Sequence, residues 1–170
     1  MILSAEKMKS ITGISPNIGV KSDTLDRSIT HAEDFDVKNS IGNVFFTAVD
    51  ANKSTYDLLL NGGTYEYGGY TYSFKGLHHA IAYFALSRWT KGSNTNATPF
   101  GTVVKSSNDS DPVSTSDLMI KVNEYKSIGQ QYLDECITFL DRQTDAIYNL
   151  YKKSPACESK SGNINMSIIG

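Results

Sequence analysis

The chain reads SDLMIKVNEYKSIGQQYLDECITFLDRQTDAIYNLY from residue 116 to residue 151, and this stretch decides the fold. Its apolar or small residues recur at steps of mostly three and four, with no proline between them: Leu118, Val122, Tyr125, Gly129, Tyr132, Leu133, Cys136, Leu140, Ile147 and Tyr151. This spacing predicts one long C-terminal helix, which we place at residues 116–153. The alternative is a break at Gly129 that gives two ordinary helices, because glycine is costly inside a helix.

Such a helix would be long for its chain. At 1.5 Å per residue it would span roughly 54 Å, whereas a compact domain of 170 residues is about 40 Å across. We therefore expect the helix to extend beyond its own domain. Its apolar stripe would then need a second surface to cover it from water. Another copy of the same chain is the simplest source of that surface.

Composition predicts a single ordered domain at residues 1–154, followed by a flexible tail at 155–170. Of the 170 residues 39% are hydrophobic, which is enough for a core, and the net charge of −2 is spread evenly. No apolar run is long enough to cross a membrane, and no basic stripe is available to grip phosphates. Cys136 and Cys157 lie in different settings, which favours free thiols over a disulfide, and we expect an intracellular protein.

Shorter helices are predicted before the long one, so the fold class is mainly α, a helical bundle. A short N-terminal helix precedes a turn-rich lead-in. Ser22 or Asp23 then caps a helix, and a further helical stretch runs through Ile41 to Ala48. Ser54 and Asp57 form a capping-box pattern for a short helix that glycines end. One more core-facing helix carries Leu77, Ile81, Phe84, Ala85 and Trp89.

A β-hairpin is predicted at residues 64–74, where TYEYGGYTYSF alternates around Gly68 and Gly69. A two-residue glycine turn pairs Tyr67 with Tyr70 and Tyr65 with Tyr72, which puts the four tyrosines on one face. This face should lie either on the chain's own helices or on a neighbouring subunit. A carbohydrate-stacking platform is a third interpretation, weakened because acidic and amide side chains are not clustered nearby in the sequence.

Residues 92–116 form the second unusual feature, an extended loop arm that is too long for an ordinary connection. Its polar flanks surround the segment TPFGTVVK at residues 98–105, whose Phe100, Val103 and Val104 would be costly to leave in water. An apolar strand on a flexible stem suits binding to a partner's sheet or groove. The tail repeats this design with Ile164, Met166, Ile168 and Ile169.

Motifs of known catalytic chemistry are missing from the sequence, so we expect no enzyme, no cofactor and no metal. Glu33, Asp34 and Asp36 form a carboxylate cluster that is interpreted as a solvated helix face, with a carboxylate-dependent hydrolase as the alternative. His78 and His79 are neighbours on a helix. They point about 100° apart and cannot chelate one ion together.

Several motifs, taken in their order along the chain, resemble a known family. They are Ile14 and Asn17-Ile18 in the lead-in, Ile29-Thr30-His31-Ala32-Glu33, Ile41-Gly42, Gly76-Leu77 with Tyr83-Phe84-Ala85, the segment TPFGTV at residues 98–103, and the long final helix. In this order the chain resembles the head-to-tail connectors, or adaptors, of tailed bacteriophages. It is most similar to ring proteins of phages that infect Bacteroides, including crAss-like phages.

The resemblance implies a helical structural subunit without catalytic residues, assembled as a homo-oligomeric ring of about twelve copies below the portal. Such a ring extends the DNA channel, lets genomic DNA pass without sequence-specific contact, and docks other neck or tail proteins. The chain would then lie in the virion neck, and in the host cytoplasm during assembly. Another neck or tail-completion component is the main alternative.

Three segments supply the residues that we expect to contact other subunits or partners. They are Thr98, Pro99, Phe100, Gly101, Val103 and Val104 in the arm, Tyr65, Tyr67, Tyr70 and Tyr72 in the hairpin, and Ile164, Ile168 and Ile169 in the tail.

Overall fold

A computed structural model describes residues 1–13, 22–93, 95–98, 101–104 and 114–152 of the chain. These residues form a mainly helical domain, which confirms the predicted fold class. Among the described helices, none combines the length and the apolar character needed to cross a bilayer.

The first half of the domain consists of short helices with defined ends. Ser4 caps α1 by accepting a hydrogen bond from the amide of Lys7, and Gly13 ends it with a φ of 67°. The predicted capping box at Ser54 does not form, because α5 begins at Asp57 and its N-cap residue, Tyr56, makes no side-chain cap. The elements are α1 (Ala5–Thr12), α2 (Ser22–Ala32), a π-helical turn (Glu33–Val37), α3 (Lys38–Ile41), α4 (Asn43–Ala51) and α5 (Asp57–Asn61).

Helix α6 (Leu77–Ser93) runs through the centre of the core. It contacts α1, α2, α5 and the π-helical turn, and it shares its largest contact with α7 (Thr115–Arg142). Its buried apolar side chains are distributed around the helix rather than on one stripe, as expected for a helix covered on several sides: Leu77, Ala80, Ile81, Ala82, Phe84, Ala85 and Leu86.

Helix α7 is the long C-terminal helix, but it ends at Arg142 rather than at residue 153. It continues through Gly129, so the alternative break at that glycine does not occur. Its 28 residues span about 42 Å, close to the width of the domain. The buried stripe of Val122, Gly129, Leu133, Cys136, Phe139 and Leu140 faces the chain's own core, so the expected need for a second surface is wrong.

The chain turns back after α7 because Gln143 adopts an extended conformation and Asp145 caps a 3₁₀ turn, Ala146–Tyr148. A short helix, α8 (Asn149–Lys152), follows and contacts α4. Tyr151 is fully buried beside Phe45, with ring centroids 5.6 Å apart. A straight helix could not have brought this residue into the core, which explains why periodicity alone overestimated the length of α7.

Within the described ranges, two antiparallel hairpins interrupt the helices. In the first, β1 (Gly63–Tyr67) pairs with β2 (Tyr70–Phe74) in the predicted register, Tyr67 opposite Tyr70 and Tyr65 opposite Tyr72. In the second, β3 (Thr95–Thr98) pairs with β4 (Gly101–Val104). The loop arm is therefore not a wholly extended segment: α6 continues to Ser93, and the predicted apolar strand pairs within its own chain.

Candidate functional site

The tyrosine hairpin lies on the C-terminal half of α7. The sequence alone did not decide between the chain's own helices and a neighbouring subunit. Tyr65 contacts Phe139 edge to face, with ring centroids 5.1 Å apart, and Phe74 stacks on Phe139 at 4.5 Å. Of the two environments expected for this face, the chain's own helix is the one observed for Tyr65. These buried aromatic contacts fix the position of the ribbon on the helix.

Arg142, the last residue of α7, packs on the tyrosine face of the hairpin and holds it against the helix. Its guanidinium carbon lies 4.3 Å from the ring centroid of Tyr72 and 5.0 Å from that of Tyr67. Its Nη1 donates a hydrogen bond to the Tyr65 hydroxyl at 3.0 Å. Cation–π contacts of this kind stabilise a packed pair without a carboxylate.

The far end of the hairpin is open to solvent. Tyr67 is 48% exposed and Tyr70 is 70% exposed, whereas Tyr65 and Tyr72 are half-buried. An exposed tyrosine at a hairpin tip carries a large apolar area with one polar group, as is common in protein interfaces. Tyr67 and Tyr70 are therefore available for a partner, while Tyr65 and Tyr72 mainly contact their own chain.

A trough of about 520 Å³ separates the hairpin from the outer face of α7. It brings Gln131, Asp134 and Glu135 beside Tyr65 and Tyr72. Helix α7 thus supplies acidic and amide side chains that are distant from the hairpin in sequence. The rings themselves are occupied, however, because Tyr65 stacks on Tyr72 at 5.5 Å and Arg142 covers Tyr72. This arrangement does not favour a sugar platform.

The predicted arm and tail are only partly described. Thr98, Gly101, Val103 and Val104 lie in the second hairpin, and β3 contacts the end of α6. Pro99 and Phe100 lie outside the described residues, as do Ile164, Ile168 and Ile169. The expected contacts of these residues with other subunits stay predictions.

The carboxylate cluster is not the solvated face that the sequence predicted, because Glu33 is buried. Its Oε1 accepts hydrogen bonds from the backbone amides of Ile2 at 2.7 Å and Leu3 at 3.0 Å. Burial raises the pKa of the Glu33 carboxyl, although these two hydrogen bonds act in the opposite direction. Glu33 therefore holds the N-terminal segment on the helix that follows α2.

Asp36 and Asp34 in the same turn form ion pairs. Asp36 accepts two hydrogen bonds from Arg88 of α6, each at 2.9 Å, and Asp34 pairs with Lys38. The π-helical turn leaves Phe35 61% exposed, with the Arg88 guanidinium 5.6 Å from its ring centroid. The two-point contact between Asp36 and Arg88 ties this turn to the central helix.

His78 is buried beneath α1, and its imidazole contacts a cluster of more exposed polar side chains. Its Nδ1 lies 3.0 Å from Oδ1 of Asn61, which also accepts a hydrogen bond from Lys7, and the Asn61 amide donates to Asp57 at 2.6 Å. Burial and the nearby Lys7 charge lower the pKa of His78 to about 4. Within the described residues, no group of three or more metal-ligating side chains comes together.

A basic surface was missed by the sequence analysis. Arg88, Lys91 and Lys126 surround a pocket of about 210 Å³ between α6 and α7, with Asn123 and Ser87 beside them. Ser87 donates a hydrogen bond to the backbone carbonyl of Val122 at 2.9 Å, which holds the two helices together at the base of the pocket. Arg88 and Lys91 share a helix face, but their proximity to Lys126 depends on how α6 packs on α7.

The fold and these surfaces define a mainly α domain that carries two antiparallel β-hairpins. The model of a family of unknown function, DUF6712, matches residues 37–161, and the chain belongs to this family. No curated protein and no solved structure matches the chain.

Proposed function

We propose that this chain is a structural subunit of a tailed-phage particle, which forms a ring below the portal, joins head to tail and docks tail proteins. The single observation that carries the proposal is the order of the motifs from Ile14 to the long final helix, which resembles that of head-to-tail connectors. The ring extends the DNA channel, and the chain performs no catalysis.

The described side chains support a structural role. The groups that the sequence offered for hydrolysis each make internal contacts: Glu33 binds two backbone amides, and Asp36 binds Arg88. A general base must lie within hydrogen-bond distance of its substrate. A buried carboxylate that already accepts hydrogen bonds from its own backbone is poorly placed for this.

Exposed apolar side chains also support the proposal, because several of them lie near the ends of elements. Tyr70 is at the tip of the first hairpin, and Met119 and Ile120 are in the first turns of α7. Exposed apolar side chains on separate elements suit contacts with more than one neighbour.

Purified virus particles from a culture that produces this chain would test the proposal. We expect antibody labelling at the junction of head and tail, and a ring in images of the separated neck. A chain found in particles without a ring would support a tail-completion component instead. A chain absent from particles would overturn the proposal.

The contribution of the second hairpin can be tested by deletion. Thr95 and Val104 are paired and lie about 5 Å apart, so residues 95–104 can be removed together as one unit. We expect the shortened chain to keep its helical circular dichroism and to lose ring formation. A matched deletion of Gly68 and Gly69 would shorten the other hairpin. Complete rings of the chain without residues 95–104 would show that this hairpin does not carry the interface.

A further inference from the structure

Two surfaces of opposite charge lie along helix α7, one of them shared with α6. The first, here called the basic patch, consists of Lys91 and Lys126 at the pocket between α6 and α7. Both lysines are exposed, and within the described part of the chain no carboxylate forms an ion pair with either. Arg88 at the same pocket is already neutralised by Asp36. The basic patch therefore presents two uncompensated positive charges on a chain whose net charge is −2.

The second surface, here called the acidic patch, consists of Asp134 and Glu135 in the trough beside the hairpin. Asp134 accepts a hydrogen bond from Gln130 at 2.9 Å, and Glu135 accepts a long one from the amide of Lys75 at 3.4 Å. Among the described side chains neither carboxylate has a cationic partner within ion-pair distance. Arg142 reaches the same trough, but its guanidinium packs on the tyrosine rings.

The two patches point in different directions. Asp134 and Glu135 follow Lys126 by eight and nine residues, which places these carboxylates roughly 80° and 180° around the helix axis and about 12–14 Å along it. A single chain cannot bring them together. Two copies related by a rotation can place the basic patch of one against the acidic patch of the next, and each copy then keeps one patch free for a further copy.

We infer that neighbouring copies of this chain contact each other head to tail, with Lys91 and Lys126 of one copy against Asp134 and Glu135 of the next. The inference rests on the proposed ring and specifies which surfaces form it. Complementary charges at an interface fix register and suppress wrong pairings, so a ring with this contact would have one direction. Tyr65 and Tyr72 line the same trough as the two carboxylates of the acidic patch.

Charge reversal in the full chain tests this contact. Variant X carries Lys91→Glu and Lys126→Glu, and variant Y carries Asp134→Lys and Glu135→Lys. Alone, each has like charges on both surfaces, so we expect its self-association constant at low ionic strength to fall roughly tenfold or more. An equimolar mixture of X and Y restores opposite charges at every contact, and we expect association to return to within about threefold of the wild type.

A matched control distinguishes the effect of the basic patch on association from the effect of net charge. Arg27→Glu with Lys121→Glu makes the same charge change as variant X, at exposed basic residues outside the basic patch that form no ion pair among the described side chains. We expect wild-type association of this control, measured by sedimentation equilibrium. Equal loss in the control and in variant X would overturn the inference, as would failure of the mixture to associate.

Failure of the head-to-tail contact can be distinguished from failure of the proposed connector function. A wild-type chain that stays monomeric at millimolar concentration and low ionic strength overturns the head-to-tail contact. Rings of the chain in purified particles would still support the connector function in that case. Absence from particles removes the connector function, whatever the charge variants do.

Discussion

Phe84 of α6 packs directly against Gly129 of α7. A Cβ atom added to Gly129 would lie 3.1 Å from two ring carbons of Phe84 and 3.2 Å from its backbone nitrogen. Phe84 is buried, and the backbone of α6 is held by neighbours on several sides. Glycine therefore sets the distance between the two longest helices.

The first prediction is that Gly129→Ala destabilises the domain. Alanine favours the helix by up to about 1 kcal/mol over glycine, but the clash with the Phe84 backbone should outweigh this, with a net loss of about 1–2 kcal/mol. Urea unfolding measures the change. Gly92→Ala is the matched control, because Gly92 is in α6 and the added carbon would meet no described atom beyond its own helix within 4 Å. A stabilised Gly129→Ala variant would contradict the close contact.

The features that could be predicted from sequence are those decided by neighbouring residues. The register of the tyrosine hairpin follows from strict alternation and from Gly68 and Gly69, whose φ values of 60° and 80° suit a tight turn. The end of α7 at Arg142 could not be predicted in this way. Apolar spacing continues to Tyr151, and only packing against Phe45 shows that the chain has turned back.

The candidate surfaces also differ in whether neighbouring residues in the sequence are enough to predict them. The tyrosines of the hairpin are visible as a local repeat, so they could be singled out before the structure was known. The basic patch depends on Lys91 and Lys126, which come together only because α6 packs along α7. The burial of Glu33 also depends on distant residues, because its partners are Ile2 and Leu3. Local periodicity carries no information about such contacts.

The second prediction concerns Glu33. Replacing it by alanine leaves the amides of Ile2 and Leu3 without their acceptor, and we expect a loss of about 2–4 kcal/mol. Glu33→Gln keeps an acceptor oxygen and should lose about 1 kcal/mol or less. Asp34→Ala, which removes only a half-exposed ion pair, should change stability by about 0.5 kcal/mol or less. Similar losses in the first and third variants, measured by thermal unfolding, would contradict the role of Glu33.

The third prediction is that the thiol of Cys136 is unreactive in the folded chain. Cys136 is fully buried between α7 and the core, and burial raises the pKa of its thiol well above the usual range. In a Cys157→Ser background, we expect labelling by a maleimide to be roughly a hundredfold slower in buffer than in denaturant. Rapid labelling of the folded chain would show that α7 separates from the core on the timescale of the reaction.

The last prediction is that His78 makes the domain sensitive to mild acid. Its pKa is lowered from 6.5 to about 4 by burial and by the charge of Lys7, so the unfolded chain takes up a proton at a pH where the folded chain does not. The contribution of the neutral imidazole to the free energy of unfolding is therefore fully present above pH 6.5. It is lost as the pH falls towards 4. The full loss corresponds to about 3 kcal/mol.

The variant His78→Asn isolates this effect, because its amide can still donate to Oδ1 of Asn61 and does not titrate. The wild type should lose stability relative to this variant between neutral pH and pH 4, as measured by urea unfolding at each pH. Titrating groups that do not act electrostatically on position 78 contribute to both proteins and cancel in the difference. Parallel pH profiles of the two proteins would mean that the imidazole of His78 is protonated as readily in the folded chain as in the unfolded one.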